Sequence, residues 1–282
     1  MAAIQFFALL DNMHLRTASD LYKRLIGTLV FIPFIVLILL GDLFATLGLA
    51  LLALWLAVEF AVLMMRTDQL RYPGLASKTA IITLMIASWG AGYIQSTESY
   101  PYYWVIASSL VAIIGVGVLF QRLNLFALCL MGCLFALGVL SVDKQGVECL
   151  IFLACIITAS DVCAYLSGRA IGGAKLAPAV SPSKTWSGSA GGLIGAMVTG
   201  AAGLYFADAM IFSGFASVWI AMLAIICAGI LGQAGDLYES WYKRTLNVKD
   251  SSDLIPGHGG VLDRFDGYLF AVPVLAIWLS VN

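Results

Sequence analysis

The feature that most constrains this chain is a series of apolar runs, each long enough to cross a lipid bilayer. Residues 25–40 and 44–65 contain almost no charge, and about 20 apolar residues are enough for a helix to span the hydrocarbon core. Backbone amides cannot stay unpaired in lipid, so such runs are expected to be helical. The chain of 282 residues is 61% hydrophobic and 11% charged, whereas roughly a quarter of a soluble domain is charged. The sequence therefore predicts an all-α polytopic membrane protein.

Nine membrane spans are predicted, and short polar connections separate most of them. Residues 1–24 are predicted to form an N-terminal interfacial segment, and residues 25–282 a single membrane domain. Two inner loops, 168–187 and 233–266, are long enough to carry a catalytic site. The predicted spans are 25–41, 43–65, 79–95, 102–120, 125–142, 147–167, 188–207, 211–232 and 267–281.

The basic residues predict the orientation of these spans. With the N-terminus inside, all of the 15 Lys and Arg residues except Lys144 fall on the inner side. Cytoplasmic loops carry such an excess, and one missed or extra span would invert every later loop. We therefore expect a cytoplasmic N-terminus and an external C-terminus. The net charge of −1 gives no indication of nucleic-acid binding.

The predicted loop 233–266 gathers charge that the rest of the chain avoids. Asp236, Glu239 and Lys243 are spaced by three and four residues, which places them on one face if the eighth span continues as a helix. Asp263 and Asp266 are three residues apart, just before the ninth span. Two carboxylate pairs at neighbouring helix ends could hold Mg²⁺, which prefers oxygen ligands and keeps room for phosphates. The alternative is a solvated loop face with local ion pairs.

Glycines and cations accompany the two carboxylate pairs. Three of the four residues 257–260 are glycines, so the backbone can approach a ligand closely there and its N–H groups can cradle a phosphate. The alternative is a plain hairpin between two helices. Four cations could offset the charge of a triphosphate, or could serve only as positive-inside anchors. They are Lys243, Arg244, Lys249 and Arg264.

Polar residues elsewhere in the chain add to this set. Asp161 lies within the sixth span, where a carboxylate is costly and usually faces a polar interior. Ser181–Thr185 supplies hydroxyls and the Lys184 ammonium just before the seventh span; the alternative is a helix N-cap with an interfacial Lys. Glu59, in the second span, needs a partner or a proton, and the sequence identifies no partner for it.

These motifs resemble those of the bacterial phosphatidate cytidylyltransferases, also called CDP-diacylglycerol synthases. The family pattern is a Ser, Lys-Arg, Lys-Asp, a Pro or Gly before His-Gly-Gly, and Asp-Arg-x-Asp. Ser183 and Ser187 depart from the family, which commonly has Lys and Glu at these positions. The matching residues here are Ser240, Lys243-Arg244, Lys249-Asp250, Pro256, His258-Gly259-Gly260 and Asp263-Arg264-Phe265-Asp266.

The resemblance implies transfer of a cytidylyl group from CTP to phosphatidic acid, at the cytoplasmic face of a bacterial inner membrane. It implies Mg²⁺ as the cofactor, and it leaves open a second, monovalent cation and a homodimer. By this resemblance, Asp236 and Asp263 are the first choices for metal ligands, and Asp250 and Asp266 are the second choices. The residues implied to contact substrates are Ser181, Lys184, Thr185, Asp161, Ser240, Lys243, Arg244, Lys249, His258, Gly259, Gly260 and Arg264.

Two other functions are compatible with many spans. A secondary transporter of an anionic metabolite would explain a membrane-buried Asp161, but it predicts paired broken helices in two halves of the chain, and no such symmetry is present in the sequence. A CTP-dependent polyprenol kinase would transfer the γ-phosphoryl group instead, and the motif at 258–266 argues against it. Labelled CTP distinguishes all three functions.

Overall fold

The computed structural model describes residues 29, 31–67, 75–97, 124–142, 144–206, 218–252 and 259–281. Within these residues the regular secondary structure consists of helices and one two-stranded antiparallel hairpin. In chain order the elements are α1 (Ile32–Leu39), α2 (Asp42–Arg66), α3 (Leu75–Thr97), α4 (Leu125–Leu140), α5 (Lys144–Ile171), β1 (Lys175–Ala177), β2 (Ser181–Thr185), α6 (Trp186–Phe206), α7 (Val218–Thr245), α8 (Leu262–Phe265) and α9 (Tyr268–Val281).

Long apolar helices confirm the predicted all-α membrane class. Leu43–Arg66, Lys144–Ile171 and Val218–Thr245 are each long and apolar enough to cross a bilayer. Leu125–Leu140 and Tyr268–Leu279 are shorter apolar helices. The predicted span 102–120 and the predicted interfacial segment 1–24 lie outside the described residues.

Helices extend into both of the loops that the sequence predicts on the inner side. The eighth span is predicted to end at residue 232, but α7 continues to Thr245. Lys243 and Arg244 in its last turn complement the helix dipole, and the helix ends before Asn247, which has a φ of 57°. In the predicted loop 168–187, α5 continues to Ile171 before two glycines with positive φ, and the hairpin fills most of the remainder.

Glycines allow two pairs of helices to pack closely. A Cβ on Gly92 of α3 would lie 2.0 Å from the Phe135 carbonyl oxygen of α4, and a Cβ on Gly138 would lie 2.1 Å from the Trp89 carbonyl oxygen. Between α5 and α6, a Cβ on Gly191 would lie 2.0 Å from Ser167 Oγ. Small residues permit such close approach of helices in membranes.

The C-terminal part of α7 contacts α4 and the turn before α9. The Tyr242 ring stacks on the Phe126 ring of α4 with centroids 4.4 Å apart, and Phe126 in turn stacks on Phe60 of α2 at 5.9 Å. A Cβ on Gly235 would lie 2.4 Å from the Asp266 carbonyl oxygen. Helix α7 therefore reaches the turn before α9 at backbone contact distance, which brings the two predicted acidic motifs together.

Candidate active site

The C-terminal turns of α7 present the charged face that the sequence predicts. Lys243 is buried, and its Nζ lies 2.6 Å from Glu239 Oε2 and 2.6 Å from Asp263 Oδ1. Ser240 Oγ lies 3.5 Å from Asp236 Oδ1, one turn earlier. Two carboxylates thus compensate a buried ammonium, which would be costly to bury alone.

Asp263 is held by backbone amides as well as by Lys243. The Ser251 N–H lies 3.1 Å from Oδ1 and 3.0 Å from Oδ2, and the Gly260 N–H donates to Oδ2 at 2.8 Å. Burial raises the pKa of Asp263, but Lys243 and these hydrogen bonds outweigh burial and hold the pKa below its usual value. Asp263 is therefore an ionised carboxylate with both oxygens engaged by the protein.

The two glycines at 259 and 260 lie where carboxylates approach the backbone. Gly259 has a φ of 78°, and a Cβ there would lie 2.7 Å from Asp263 Oδ2. A Cβ on Gly260 would lie 1.6 Å from Glu59 Oε1. No other residue fits either position without displacing a carboxylate. His258 lies outside the described residues.

Asp266 lies beside Asp236 in a second acidic group. The Gly267 N–H donates to Asp266 Oδ1 at 2.7 Å. Burial raises the pKa of Asp266 well above its usual range, and the nearby carboxylates of Asp236 and Asp161 raise it further. Lys184 of β2 forms an ion pair with Asp236. The group therefore has more carboxylates than paired cations, which is the balance expected where a cation binds.

The donor set fits a Mg²⁺ that is completed by substrate. Within the described ranges, no three Asp, Glu, His or Cys side chains form a group that could hold a metal. Mg²⁺ does not need such a group, because it is commonly bound by one or two carboxylates, waters and substrate phosphates. Asp236 and Asp266 suit that role. Asp263 instead contacts Lys243 and two amides, and Asp250 is exposed on the surface.

The hairpin residues divide between a structural role and a role at the site. The Gly188 N–H donates to Thr185 Oγ1 at 3.0 Å, so Thr185 caps α6, as one alternative for this segment predicts. Ser187 Oγ donates to the Gly172 carbonyl oxygen. Ser181 Oγ lies 3.5 Å from Ser183 Oγ. Lys184 is the hairpin side chain that reaches α7 through an ion pair.

The remaining predicted cations lie around this site. Arg244 Nε donates to the Val180 carbonyl oxygen at 3.3 Å, and its Nη1 donates to the Val248 carbonyl oxygen at 3.1 Å. Arg244 thus ties the hairpin turn to the end of α7. Lys249 is exposed, and Arg264 is exposed and lines a cavity.

Two cavities follow one another along one face of α5. The polar cavity, about 360 Å³, is lined by Asp161, Tyr165, Arg169, Lys184, Gln233 and Asp236. The apolar cavity, about 510 Å³, is lined by residues such as Phe34, Leu52, Leu137 and Ala154, with Arg264 and Tyr268 also in its wall. On α5, Ala154 and Thr158 line the apolar cavity, and Asp161 and Tyr165 line the polar cavity. Consecutive members of this series are four, three and four residues apart, so all four lie on one face of the helix.

Some site contacts were not predicted from the sequence. Gln233 accepts a hydrogen bond from Ser189 Oγ and donates to the Ser189 carbonyl oxygen at 3.1 Å, which joins α7 to α6. Arg169 donates to the Tyr165 hydroxyl at 2.8 Å. A polar residue such as Gln233 within an apolar helix was the available signal. Its partner, 44 residues away in sequence, was not indicated by any local pattern.

Comparison with known proteins identifies the family. The model of the cytidylyltransferase family matches residues 22–282. The phosphatidate cytidylyltransferase of Staphylococcus haemolyticus (strain JCSC1435) is 31% identical over 261 residues, which cover 90% of this chain and 96% of the relative. Those of Staphylococcus aureus (strain COL) and Staphylococcus epidermidis (strain ATCC 12228 / FDA PCI 1200) are 32% identical over the same shares. The resemblance inferred from the motifs is thus confirmed, and the chain belongs to the cytidylyltransferase family.

Proposed function

We propose that this protein transfers the cytidylyl group of CTP to phosphatidic acid, forming CDP-diacylglycerol and pyrophosphate. Family membership supports the nucleotidyl transfer, and the relatives' names supply the lipid acceptor. The observation that carries the proposal is the succession of a polar and an apolar cavity along α5, with Asp161 in the wall of the first and Arg264 in the wall of the second. A water-soluble nucleotide and a membrane lipid require such a pair of sites.

CTP is assigned to the polar cavity and the lipid to the apolar cavity. Lys184 and Arg169 provide cations for the triphosphate in the polar cavity. The acyl chains lie among Leu52, Leu137 and Ala154, and Arg264 faces the lipid phosphate. Thr158 and Asp161, which line the two cavities, are about 4.5 Å apart along the helix axis at 1.5 Å per residue. The two phosphate groups can therefore meet beside Asp161.

The reaction needs positioning and charge neutralisation more than covalent catalysis. A phosphate oxygen of phosphatidic acid attacks the α-phosphorus of CTP. A new P–O bond forms there, the bond from the α-phosphorus to the oxygen bridging to the β-phosphorus breaks, and pyrophosphate leaves with that electron pair. Lys184 and Arg264 hold two anions that otherwise repel each other, and they offset charge that develops on the leaving group.

Asp236 and Asp266 are the proposed ligands of Mg²⁺; Asp236 lines the polar cavity, and Asp266 lies near Asp236. When bound, Mg²⁺ neutralises charge on the triphosphate and on the departing pyrophosphate. The pair Asp236 and Asp263 remains a prediction from the family resemblance. Asp263 is also proposed to act through Lys243, which it holds at 2.6 Å.

The proposed topology has nine spans, with the N-terminus and the active site on the cytoplasmic side of a bacterial inner membrane. The distribution of Lys and Arg supports this orientation. The site cations Lys184, Lys243 and Arg264 gather at the end of the bundle where α7 ends and α9 begins. This end is therefore the proposed inner face, where CTP is available.

A dual-label assay of the purified protein tests the function. The detergent-solubilised protein is given phosphatidic acid and Mg²⁺, with CTP labelled either in the cytidine or at the γ-phosphate. We expect cytidine label in a chloroform-extractable product that depends on phosphatidic acid, and γ-label in pyrophosphate. Entry of γ-label into a polyprenol would support the kinase instead. No transfer by folded protein, with labelled-anion uptake in proteoliposomes, would support the transporter.

A further inference from the structure

Glu59 is fully buried in α2, yet its carboxylate accepts hydrogen bonds from the backbone at the start of α8. The Val261 N–H donates to Oε2 at 2.8 Å, and the Leu262 N–H donates to Oε1 at 3.3 Å. Ser251 Oγ also donates to Oε1. These donors lie 192 to 203 residues away in sequence. The carboxylate thus joins α2 to both sides of residues 253–258.

The contacts of Glu59 continue directly to Asp263. Ser251 binds Glu59 through its hydroxyl and Asp263 through its N–H. Leu262, the other neighbour of Glu59, immediately precedes Asp263 in sequence. Asp263 then holds Lys243 on α7 at 2.6 Å. A chain of hydrogen bonds therefore leads from the interior of α2 to the charged face of α7.

The surroundings of Glu59 indicate that this contact is specific. Burying a carboxylate among apolar residues is costly unless hydrogen bonds satisfy it, and the sequence neighbour Phe60 is also fully buried. A Cβ at Gly260 would lie 1.6 Å from Glu59 Oε1, so the glycine provides the space that the carboxylate occupies. Glu59 lines neither the polar nor the apolar cavity. Its influence on substrates must therefore pass through the segment that it binds.

We propose that Glu59 is a positioning residue for cytidylyl transfer, which fixes Ser251, Val261 and Leu262 so that Asp263 and Lys243 keep their working geometry. This inference rests on the proposed function. It predicts that loss of the Glu59 contacts lowers turnover, because Asp263 and Lys243 lose their alignment. It also predicts that the binding of CTP is largely kept, because the polar cavity is intact.

The first test is the Glu59→Gln variant, with Glu148→Gln as its matched control. Glutamine keeps the size but replaces one acceptor oxygen with a donor, so it cannot accept from both backbone amides. Glu148 lies in another membrane helix and contacts Lys144 at 3.5 Å. We expect Glu59→Gln to lower kcat by about 10–100-fold, the usual loss when a supporting partner of a site residue is changed. The KM for CTP should stay within about threefold, and Glu148→Gln should match the wild type.

A second variant keeps the proposal testable if Glu59→Gln folds poorly. Ser251→Ala removes one donor without changing the buried carboxylate, and it should lower kcat in the same direction but less. If both residues act through one contact, the double variant should be no slower than Glu59→Gln alone. Unchanged kcat per folded molecule in Ser251→Ala and Glu59→Gln, or multiplicative losses in the double variant, would overturn the proposal.

Hydrogen exchange tests the contact independently of activity. A peptide covering residues 259–265 should exchange faster in Glu59→Gln than in the wild type, because one of the two amides that donate to Glu59 loses its acceptor. The same peptide should be unchanged in Glu148→Gln. Equal exchange in Glu59→Gln and wild type would contradict the inference. A wild type that transfers no cytidine label would instead contradict the proposed function, whatever the exchange result.

Discussion

Lys184 on β2 and Asp236 on α7 form an ion pair that links the hairpin to the helix across the polar cavity. Their side chains are 26% and 32% exposed, so solvent screens the pair and its contribution to folding is small. The pair instead holds a cation at the wall of the cavity, where a triphosphate can approach. Lys184 should therefore matter more for catalysis than for stability.

Lys184→Ala tests this role, and Ser183→Ala on the same strand is the control. Loss of one strong electrostatic contact with the reacting phosphates costs on the order of 10²–10³-fold in rate. We expect Lys184→Ala to lose at least that much kcat/KM for CTP, with little change in thermal stability. Ser183→Ala and Ser187→Ala should be mild. Equal losses in Ser183→Ala and Lys184→Ala would show that the working residues of the hairpin are misassigned.

Single and double carboxylate variants test the metal ligands. Asp236→Asn and Asp266→Asn should each lower turnover by roughly 10²-fold or more, and the double variant should be little worse because both serve one ion. Both single variants should also need more Mg²⁺ for half-maximal rate. Asp263→Asn should lose activity with an unchanged Mg²⁺ requirement if it acts through Lys243. A raised Mg²⁺ requirement in Asp263→Asn, but not in Asp266→Asn, would instead favour the pair predicted from the family resemblance.

Asp266→Asn should stabilise the metal-free protein. The pKa of Asp266 is raised by burial and by Asp236, so ionised Asp266 disfavours the folded state at neutral pH. This penalty is present above the raised pKa and disappears as pH falls below the ordinary carboxyl value. In EDTA at pH 7.5 we expect Asp266→Asn to have a higher Tm than the wild type, by about 2–4 °C for each 1 kcal/mol of the penalty that it removes. The difference in Tm between the two proteins should be smaller at pH 5. A lower Tm for Asp266→Asn at pH 7.5 would count against this account.

Ala154→Phe tests the lipid assignment of the apolar cavity. The added ring occupies space in the cavity that the acyl chains are proposed to fill, so the KM for long-chain phosphatidic acid should rise by about 10-fold. The KM for CTP should not change. Ala201→Phe, at an exposed position on α6, makes the same substitution away from both cavities. Equal KM values for phosphatidic acid in the two variants would show that the acyl chains do not bind in this cavity.

Cysteine labelling in intact cells tests the proposed topology. A cysteine at position 282, after Val281, should react with a membrane-impermeant maleimide from outside. Thr245→Cys, at the end of α7, should react only after permeabilisation. The unaltered chain has six cysteines and supplies the background. The reverse pattern would overturn the nine-span topology.

The membrane class and the family follow from the sequence, because both depend on local patterns. Apolar run length predicts α2, α5 and α7, since a helix in lipid satisfies its own backbone. The motif from Ser240 to Asp266 identifies the family because its residues are close together in the chain. The predicted helix boundaries are less accurate than the predicted class. The eighth span is predicted to end at residue 232, but α7 continues to Thr245, just before Asn247 with its positive φ.

Only the tertiary structure decided which charged groups meet. Sequence spacing placed Asp263 and Asp266 in one motif, yet Asp263 pairs with Lys243 while Asp266 lies beside Asp236. The partners of Glu59 are 192 to 203 residues away, and no local period connects them. Such contacts depend on how helices pack, and here they depend on glycines such as Gly235 and Gly260, where a single Cβ would separate the elements. The sequence by itself therefore determined what kind of protein this is, and helix packing determined which carboxylate holds which partner.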